Sequence, residues 1–178
     1  VKIAETQLEG VFLVELVPVS DARGHFMRTF CSTTFTQHGL TTFWPQSNLS
    51  FTASKGTLRG LHFQKEPSPE IKLIQCVTGT ICDVIVDIRK DSPSFGHWES
   101  FELSEENHRG LYVPAGYAHG FQCLEDKCRV SYQMSQLYDP SLSGGVRWND
   151  PDLKIDWPLN CPLVSERDAA LPFLADLE

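Results

Sequence analysis

An all-β fold, built as an antiparallel sandwich, jelly roll or barrel with a few short helices, is what this chain predicts, and three observations predict it. Short β-rich runs recur between clusters of Gly, Pro, Asp and Ser. One of those runs alternates with a period of two, as a strand requires. Apolar residues at helical spacing are nearly absent, which leaves sheet packed on sheet as the economical architecture.

The runs are VFLVELVPV, TLRGLHF, IKLIQCV, TICDVIVDI, GLYVP and RVSYQMS, in that order. Within Ile81 to Ile88, residues Ile81, Asp83, Ile85 and Asp87 point one way, and Cys82, Val84, Val86 and Ile88 the other. The expectation is one face in the core and one carrying two carboxylates outward. VTGTICDVI reads as a hairpin, two strands joined by a tight turn in which Gly79 supplies a positive φ. A short helix is expected around Thr33 to His38, and Ser165 opens a capped turn with Asp168 three residues later. The tail from Trp148 onward reads as packed loop, because Trp148 and Trp157 are costly to leave in water.

At 178 residues, with 41% hydrophobic and 21% charged, the chain is expected to fold as a single domain over 1–178. Its net charge of -8 is spread along the sequence, with no Lys/Arg stripe to follow a phosphate backbone, which argues against nucleic acid as a partner. An acidic chain that binds an anion concentrates a few cations in a pocket, so Arg23, Arg59 and Lys72, each inside an ordered motif, carry more information than the total. None of the six cysteines forms a Cys-x-x-Cys pair, and most read as small core hydrophobes. The chain begins VKIAETQLEG, without an apolar signal segment, and no run approaches the roughly 20 apolar residues of a membrane span. A cytoplasmic protein is expected.

The stretch GLYVPAGYAH, ending at His119, resembles the second signature motif of the cupin superfamily, which implies a cupin-type jelly roll. Metal-binding cupins carry a His-x-His pair in their first motif, but RGLHFQ offers only His62, followed by Gln64. That set is too small for a catalytic zinc or iron, so neither metal nor other cofactor is expected.

A more specific resemblance follows from KGTLRGLHFQ, IKLIQCVTGTICDVIVDIR, SPSFGHW and VPAGYAHGF, in this order and spacing. With DARGHF, QSNLS, RWNDPDLKIDWP and SERD, they make nearly the whole chain resemble the dTDP-4-dehydrorhamnose 3,5-epimerase family. The resemblance implies a metal-free, homodimeric cupin that acts on a nucleotide-linked 4-keto-6-deoxyhexose.

In such a sugar the hydrogens on carbons 3 and 5 flank a ketone and are acidified by enolate formation, so inversion needs a base on one face and an acid on the other. By resemblance His62 is the base, Asp168 of SERD orients it, Tyr132 of VSYQMS is the acid, and Lys72 of IKLI stabilises the enolate oxygen. Taken alone, His62 and Tyr132 read as satisfied core residues and Lys72 as a strand-edge charge; the surrounding motifs reverse those readings. Arg23 and Phe26 of RGHF, Gln46, Ser47 and Asn48, Arg59, His119 and Arg167 match ligand-binding positions, and Tyr138 matches an aromatic that stacks on the thymine ring. Arg28 and Ser143 stand where the family frequently has Glu, and Arg167 where it commonly has Lys, which leaves the nucleotide preference open. Two alternatives stay beside the 3,5-epimerase. One is a 3-epimerase that inverts carbon 3 only, and the other is a non-catalytic cupin module that holds a sugar nucleotide; retention of base, orienter, acid and cation together argues against the latter.

Overall fold

A computed structural model describes residues 1–177. The strands are β1 (Lys2–Glu5), β2 (Phe12–Glu15), β3 (Val19–Asp21), β4 (Gly24–Phe26), β5 (Gln46–Thr52), β6 (Leu58–Gln64), β7 (Lys72–Thr78), β8 (Thr80–Asp87), β9 (Trp98–Ser104), β10 (Arg109–Val113), β11 (Tyr117–Cys123), β12 (Cys128–Met134) and β13 (Ser143–Gly145). Two short helices join them, α1 (Ser32–Gln37) and α2 (Glu166–Ala169). One sheet runs β1-β2-β10-β7-β12-β5 and the other β13-β6-β11-β8-β9, with every pairing antiparallel. β3 and β4 form a hairpin of their own. This is the jelly-roll sandwich that the sequence predicts.

Between the sheets lies a core of Ile74, Cys76, Ile81, Ile85, Leu103, Leu111, Phe121 and Val130, all buried. Both outer faces are covered as well. Under the C-terminal stretch, Val146, Leu153, Trp157 and Leu174 pack on Leu61, Cys82, Val84 and Val86. On the other sheet, Phe35 of α1 and Trp44 pack with Val14, Leu73 and Tyr112. The tail is therefore packed loop, as expected, and Trp157 Nε1 donates to the Trp148 carbonyl at 2.9 Å.

Two expectations are corrected. β8 is buried on both faces, and its acidic residues point inward beside Ile81 and Ile85. Asp83 and Asp87 tolerate that interior because each has a partner, His119 at 2.8 Å and Arg89 at 2.7 Å. The second correction concerns Gly79, which does have a positive φ of 79°. β7 and β8 do not pair with one another; β7 lies between β10 and β12, and β8 between β11 and β9. The turn is a crossing from one sheet to the other. A Cβ at Gly79 would sit 2.8 Å from Cys128 Sγ, so the crossing has no room for a side chain.

The predicted short helix and the predicted capped turn both form, and only the second carries a side-chain cap. α1 spans the expected segment, and α2 begins at Ser165, whose Oγ accepts from the Asp168 amide at 3.1 Å. The Asp168 carboxylate is free of capping duty and is turned elsewhere.

Candidate active site

Both sheets contribute to one cavity of about 560 Å³. From the five-stranded sheet come Arg59 and His62 on β6, His119 on β11 and Ser143 on β13. From the opposite sheet come Gln46, Asn48 and Ser50 on β5, Lys72 on β7 and Tyr132 on β12. Tyr138 and the Arg167–Asp168 pair of α2 stand in it as well. Residues more than a hundred positions apart meet here because adjacent strands fix their register: His119 lies opposite His62, and Tyr132 opposite Asn48 on one side and Ile74 on the other.

The approach of β6 to β11 is set by glycine. Gly60 has φ 121°, and a Cβ there would lie 2.5 Å from Gly120 Cα, so only hydrogen fits between the two backbones. The ladder shifts register between His119 and Phe121, a bulge of the kind that re-aims neighbouring side chains.

His62 Nε2 lies 2.7 Å from Asp168 Oδ1, while the Gly60 amide donates to Asp168 Oδ2 at 3.1 Å. Burial of the Asp168 carboxyl works against ionisation, but the bond and charge of His62 and the Gly60 amide outweigh it and hold the carboxyl below its ordinary range. An anionic Asp168 accepts a hydrogen bond from Nε2–H, so in the neutral tautomer this bond selects, Nδ1 is the nitrogen left bare. The His62 ring is 36% exposed, open enough to exchange protons with a ligand or water.

Tyr132 is packed beside the core, within an edge-to-face arrangement 6.2 Å from the His119 ring. Burial pushes its phenol well above the ordinary value, so near neutral pH it holds its proton. Lys72 is buried, and its Nζ donates to the His62 carbonyl at 3.0 Å and pairs with Glu70 at 3.0 Å. The strand-edge reading of Lys72 therefore gives way to a buried cation with a buried counterion.

Nearer the mouth, Arg59 is held by Thr52 Oγ1 at 3.0 Å and the Phe51 carbonyl at 3.3 Å. Arg167 donates to Ser143 Oγ at 2.7 Å, and Gln46 Oε1 accepts from the Tyr138 amide at 2.9 Å. Tyr138 itself is exposed.

Three expected residues stand outside the cavity. Ser47 does not line it, because the two-residue period of β5 that turns Gln46 and Asn48 inward turns Ser47 away. Arg23 and Phe26 lie on the β3–β4 hairpin, where the Arg23 side chain is 90% exposed and pairs with Asp21, and Phe26 is 77% exposed. Arg28 follows the hairpin, with Nη1 3.6 Å from Cys31 Sγ. The structure also brings in residues that the sequence did not single out. Glu70 precedes Lys72 by two positions, the same-side spacing of an extended chain, and Asp83, expected on an outward face, is instead buried against His119. Among the described residues, no three His, Cys, Asp or Glu side chains converge as a metal-ligand set.

Comparison with known proteins agrees with this geometry. The family model described as dTDP-4-dehydrorhamnose 3,5-epimerase matches residues 5–176. A protein of that name from Methanothermobacter thermautotrophicus is 42% identical over 170 residues, 94% of this chain and 91% of that one. The crystal structure of a dTDP-4-dehydrorhamnose 3,5-epimerase from Bacillus anthracis, with TDP and PPi bound, superposes with a TM-score of 0.94 at 43% identity, covering 97% of this chain and 98% of that one. A 3'-monoepimerase from Streptomyces bikiniensis in complex with dTDP-quinovose gives a TM-score of 0.91 at 36% identity, covering 96% and 86%. With the cupin-type sandwich and a match along nearly its whole length, the chain belongs to the dTDP-4-dehydrorhamnose 3,5-epimerase family.

Proposed function

We propose that this protein is an isomerase that epimerises dTDP-4-dehydro-6-deoxy-D-glucose at carbons 3 and 5, in deoxysugar biosynthesis of the dTDP-rhamnose type. The observation that carries the reading is that His62, paired with Asp168 of α2, and Tyr132 come from opposite sheets across one cavity. A sugar ring between them meets a base on one face and an acid on the other. His62 Nδ1 takes the proton from the carbon beside the ketone, and the imidazolium that forms is stabilised by Asp168. The bonding pair moves into the ring and negative charge gathers on the 4-keto oxygen. Tyr132 then delivers a proton to the same carbon from the opposite face, and the configuration inverts. His62 loses its proton to water and Tyr132 regains one, which readies the site for the second carbon.

At the mouth, Arg59 and Arg167 suit the diphosphate with forked hydrogen bonds, Gln46 and Asn48 supply polar contacts, and Tyr138 offers an exposed ring for a base to stack on. Arg23, Phe26 and Ser47 are assigned to the ligand of a second copy in a homodimer. Exposed Val19, Phe26, Phe43, Leu49 and Phe51 favour such a partner, as does the position of β5 at the end of its sheet. Among the described residues no helix is long and apolar enough to cross a membrane. The six cysteines are all free, which favours a reducing, cytoplasmic setting.

Proton NMR of the protein with dTDP-4-keto-6-deoxyglucose in deuterated buffer tests the reading. Exchange with inversion at both carbons is expected. Exchange confined to carbon 3 would make the enzyme a 3-epimerase, a reading that similarity to the monoepimerase from Streptomyces bikiniensis keeps in view. No exchange at either carbon would remove this substrate.

A further inference from the structure

A second histidine–aspartate pair stands at the cavity wall: His119 lines the cavity, and its Nε2 is 2.8 Å from Oδ2 of Asp83, which is buried behind it. It resembles the His62 pair in connectivity and differs in surroundings. Asp168 has both carboxylate oxygens hydrogen-bonded, and its histidine is partly exposed. The Asp83 and His119 side chains are 0% and 5% exposed, and Asp83 Oδ1 has no hydrogen-bond partner among the described residues. Nor is Lys72 free to serve as the counterion, because its ammonium is taken by Glu70 and by the His62 carbonyl.

The proton count of such a pair decides what it shows a ligand. With one proton between them the two side chains carry a net negative charge, Nε2–H points at the carboxylate, and Nδ1 is a bare acceptor. With two protons the pair is neutral. The shared proton then sits on Oδ2 or on Nε2, and in both cases Nδ1 bears a hydrogen. A net charge in a dry interior with one oxygen unsolvated is the costlier state, by several kcal/mol on general grounds. Burial pushes the Asp83 carboxyl above its ordinary range, against the pull of His119 and Lys72, which is the direction this comparison requires.

We propose that Asp83 and His119 hold two protons between them, so that Asp83 acts as a positioning residue that makes His119 Nδ1–H a hydrogen-bond donor to the ligand's 4-keto oxygen. The two histidines of the cavity then have opposite polarity: His62 Nδ1 accepts a proton, while His119 Nδ1 stabilises the negative charge that this transfer creates. His119 lines the cavity with Nε2 committed to Asp83, so Nδ1 is the nitrogen left for a ligand. Lys72, already holding two acceptors, shares the oxyanion task rather than carrying it alone. The ligand in this statement rests on the epimerase reading; the proton count does not.

The test is therefore split. In protein labelled with 15N-histidine and free of ligand, long-range 1H–15N correlation near neutral pH reads each ring nitrogen, and a His119→Gln variant assigns the signals. A protonated Nδ1 on His119 and a bare Nδ1 on His62 are expected; a bare Nδ1 on His119 overturns the proposal whether or not the protein is an epimerase. Asp83→Leu is expected to lower kcat about a hundred-fold, the size of effect seen when one oxyanion donor is lost, with dTDP affinity changed less than about two-fold. Asp83→Asn can still donate an amide hydrogen to Nε2 and keep the Nδ1 proton, so its kcat is expected to fall less than about ten-fold. Wild-type kcat in Asp83→Leu, or an Asp83→Asn loss as large as that of Asp83→Leu, would refute the assignment. If Asp83→Leu does not fold, the spectrum of the wild-type protein and the Asp83→Asn rate still decide.

Discussion

Two imidazoles line one cavity, each paired with an aspartate, and the surroundings of each carboxylate decide what its histidine can do. For His62 the deciding contacts are the 2.7 Å bond to Asp168 and the Gly60 amide behind it, which favour an anionic orienter and a basic Nδ1. His62→Ala is expected to abolish deuterium uptake at both carbons while dTDP binding, measured by calorimetry, changes little; uptake at the wild-type rate would exclude it as the base. Tyr132→Phe keeps the base and removes the returning proton, so exchange is expected to survive in part while inversion falls at least about a hundred-fold. Equal loss of exchange and inversion would give Tyr132 a positioning role instead. His62, Tyr132, Lys72 and Asp168 were legible as a set because each lies inside a motif. Asp83 was not, since alternation along a strand reports two faces without saying which is inside, and here both faces are covered.

At the scale of elements, strand positions were legible and strand partners were less so. Gly79 was read as a hairpin turn because the local signal for positive φ is the same whether the next strand pairs with the last or crosses to the other sheet; only the packing of β8 between β9 and β11 distinguishes the two. β5 was read, from resemblance alone, as a polar binding stretch; it is an edge strand with Gln46, Asn48 and Ser50 given to the cavity. The β6–β11 contact at Gly60 yields a prediction. Gly60→Ala puts a methyl into backbone at a φ that disfavours side chains, so the strands must part and the His62–His119 register goes with them. A loss of more than about 2 kcal/mol in urea unfolding is expected, with activity lost beyond what the change in stability explains.

The loop after β8 is tied down by Asp87, which binds Arg89, Ser92 and Ser94 at 2.7 Å. Burial of this carboxyl opposes its ionisation, but these bonds prevail and bring it down to about 2. A carboxylate whose folded pKa lies below its unfolded value stabilises the fold above the unfolded value and ceases to as pH falls through the folded one. Asp87 should thus contribute about 2 kcal/mol at neutral pH that disappears between about pH 4 and about pH 2. Unfolding followed across that range should lose the corresponding slope in Asp87→Asn; an unchanged slope would assign the acid sensitivity to other groups.

For the whole molecule the relation that matters is between the hairpin and the cavity. The family resemblance makes Arg23 and Phe26 candidates for ligand binding, yet they stand exposed on the β3–β4 hairpin, outside the cavity of their own chain. The sequence could not reveal this, because a motif reports what a residue does and not whose site it serves. A symmetric dimer reconciles the two facts if each hairpin reaches the partner's cavity, since the same exchange then completes both sites. The consequence can be measured by mixing two inactive variants. His62→Ala leaves the hairpin intact, and the double variant Arg23→Ala with Phe26→Ala leaves the base intact. In a mixed dimer one site receives both lesions and the other receives neither. Unfolding and refolding the two chains together at equal concentration makes about half of the dimers mixed, with one good site each, so activity should return to about a quarter of the wild-type level. If the hairpin serves its own chain, every site keeps one lesion and mixing restores nothing.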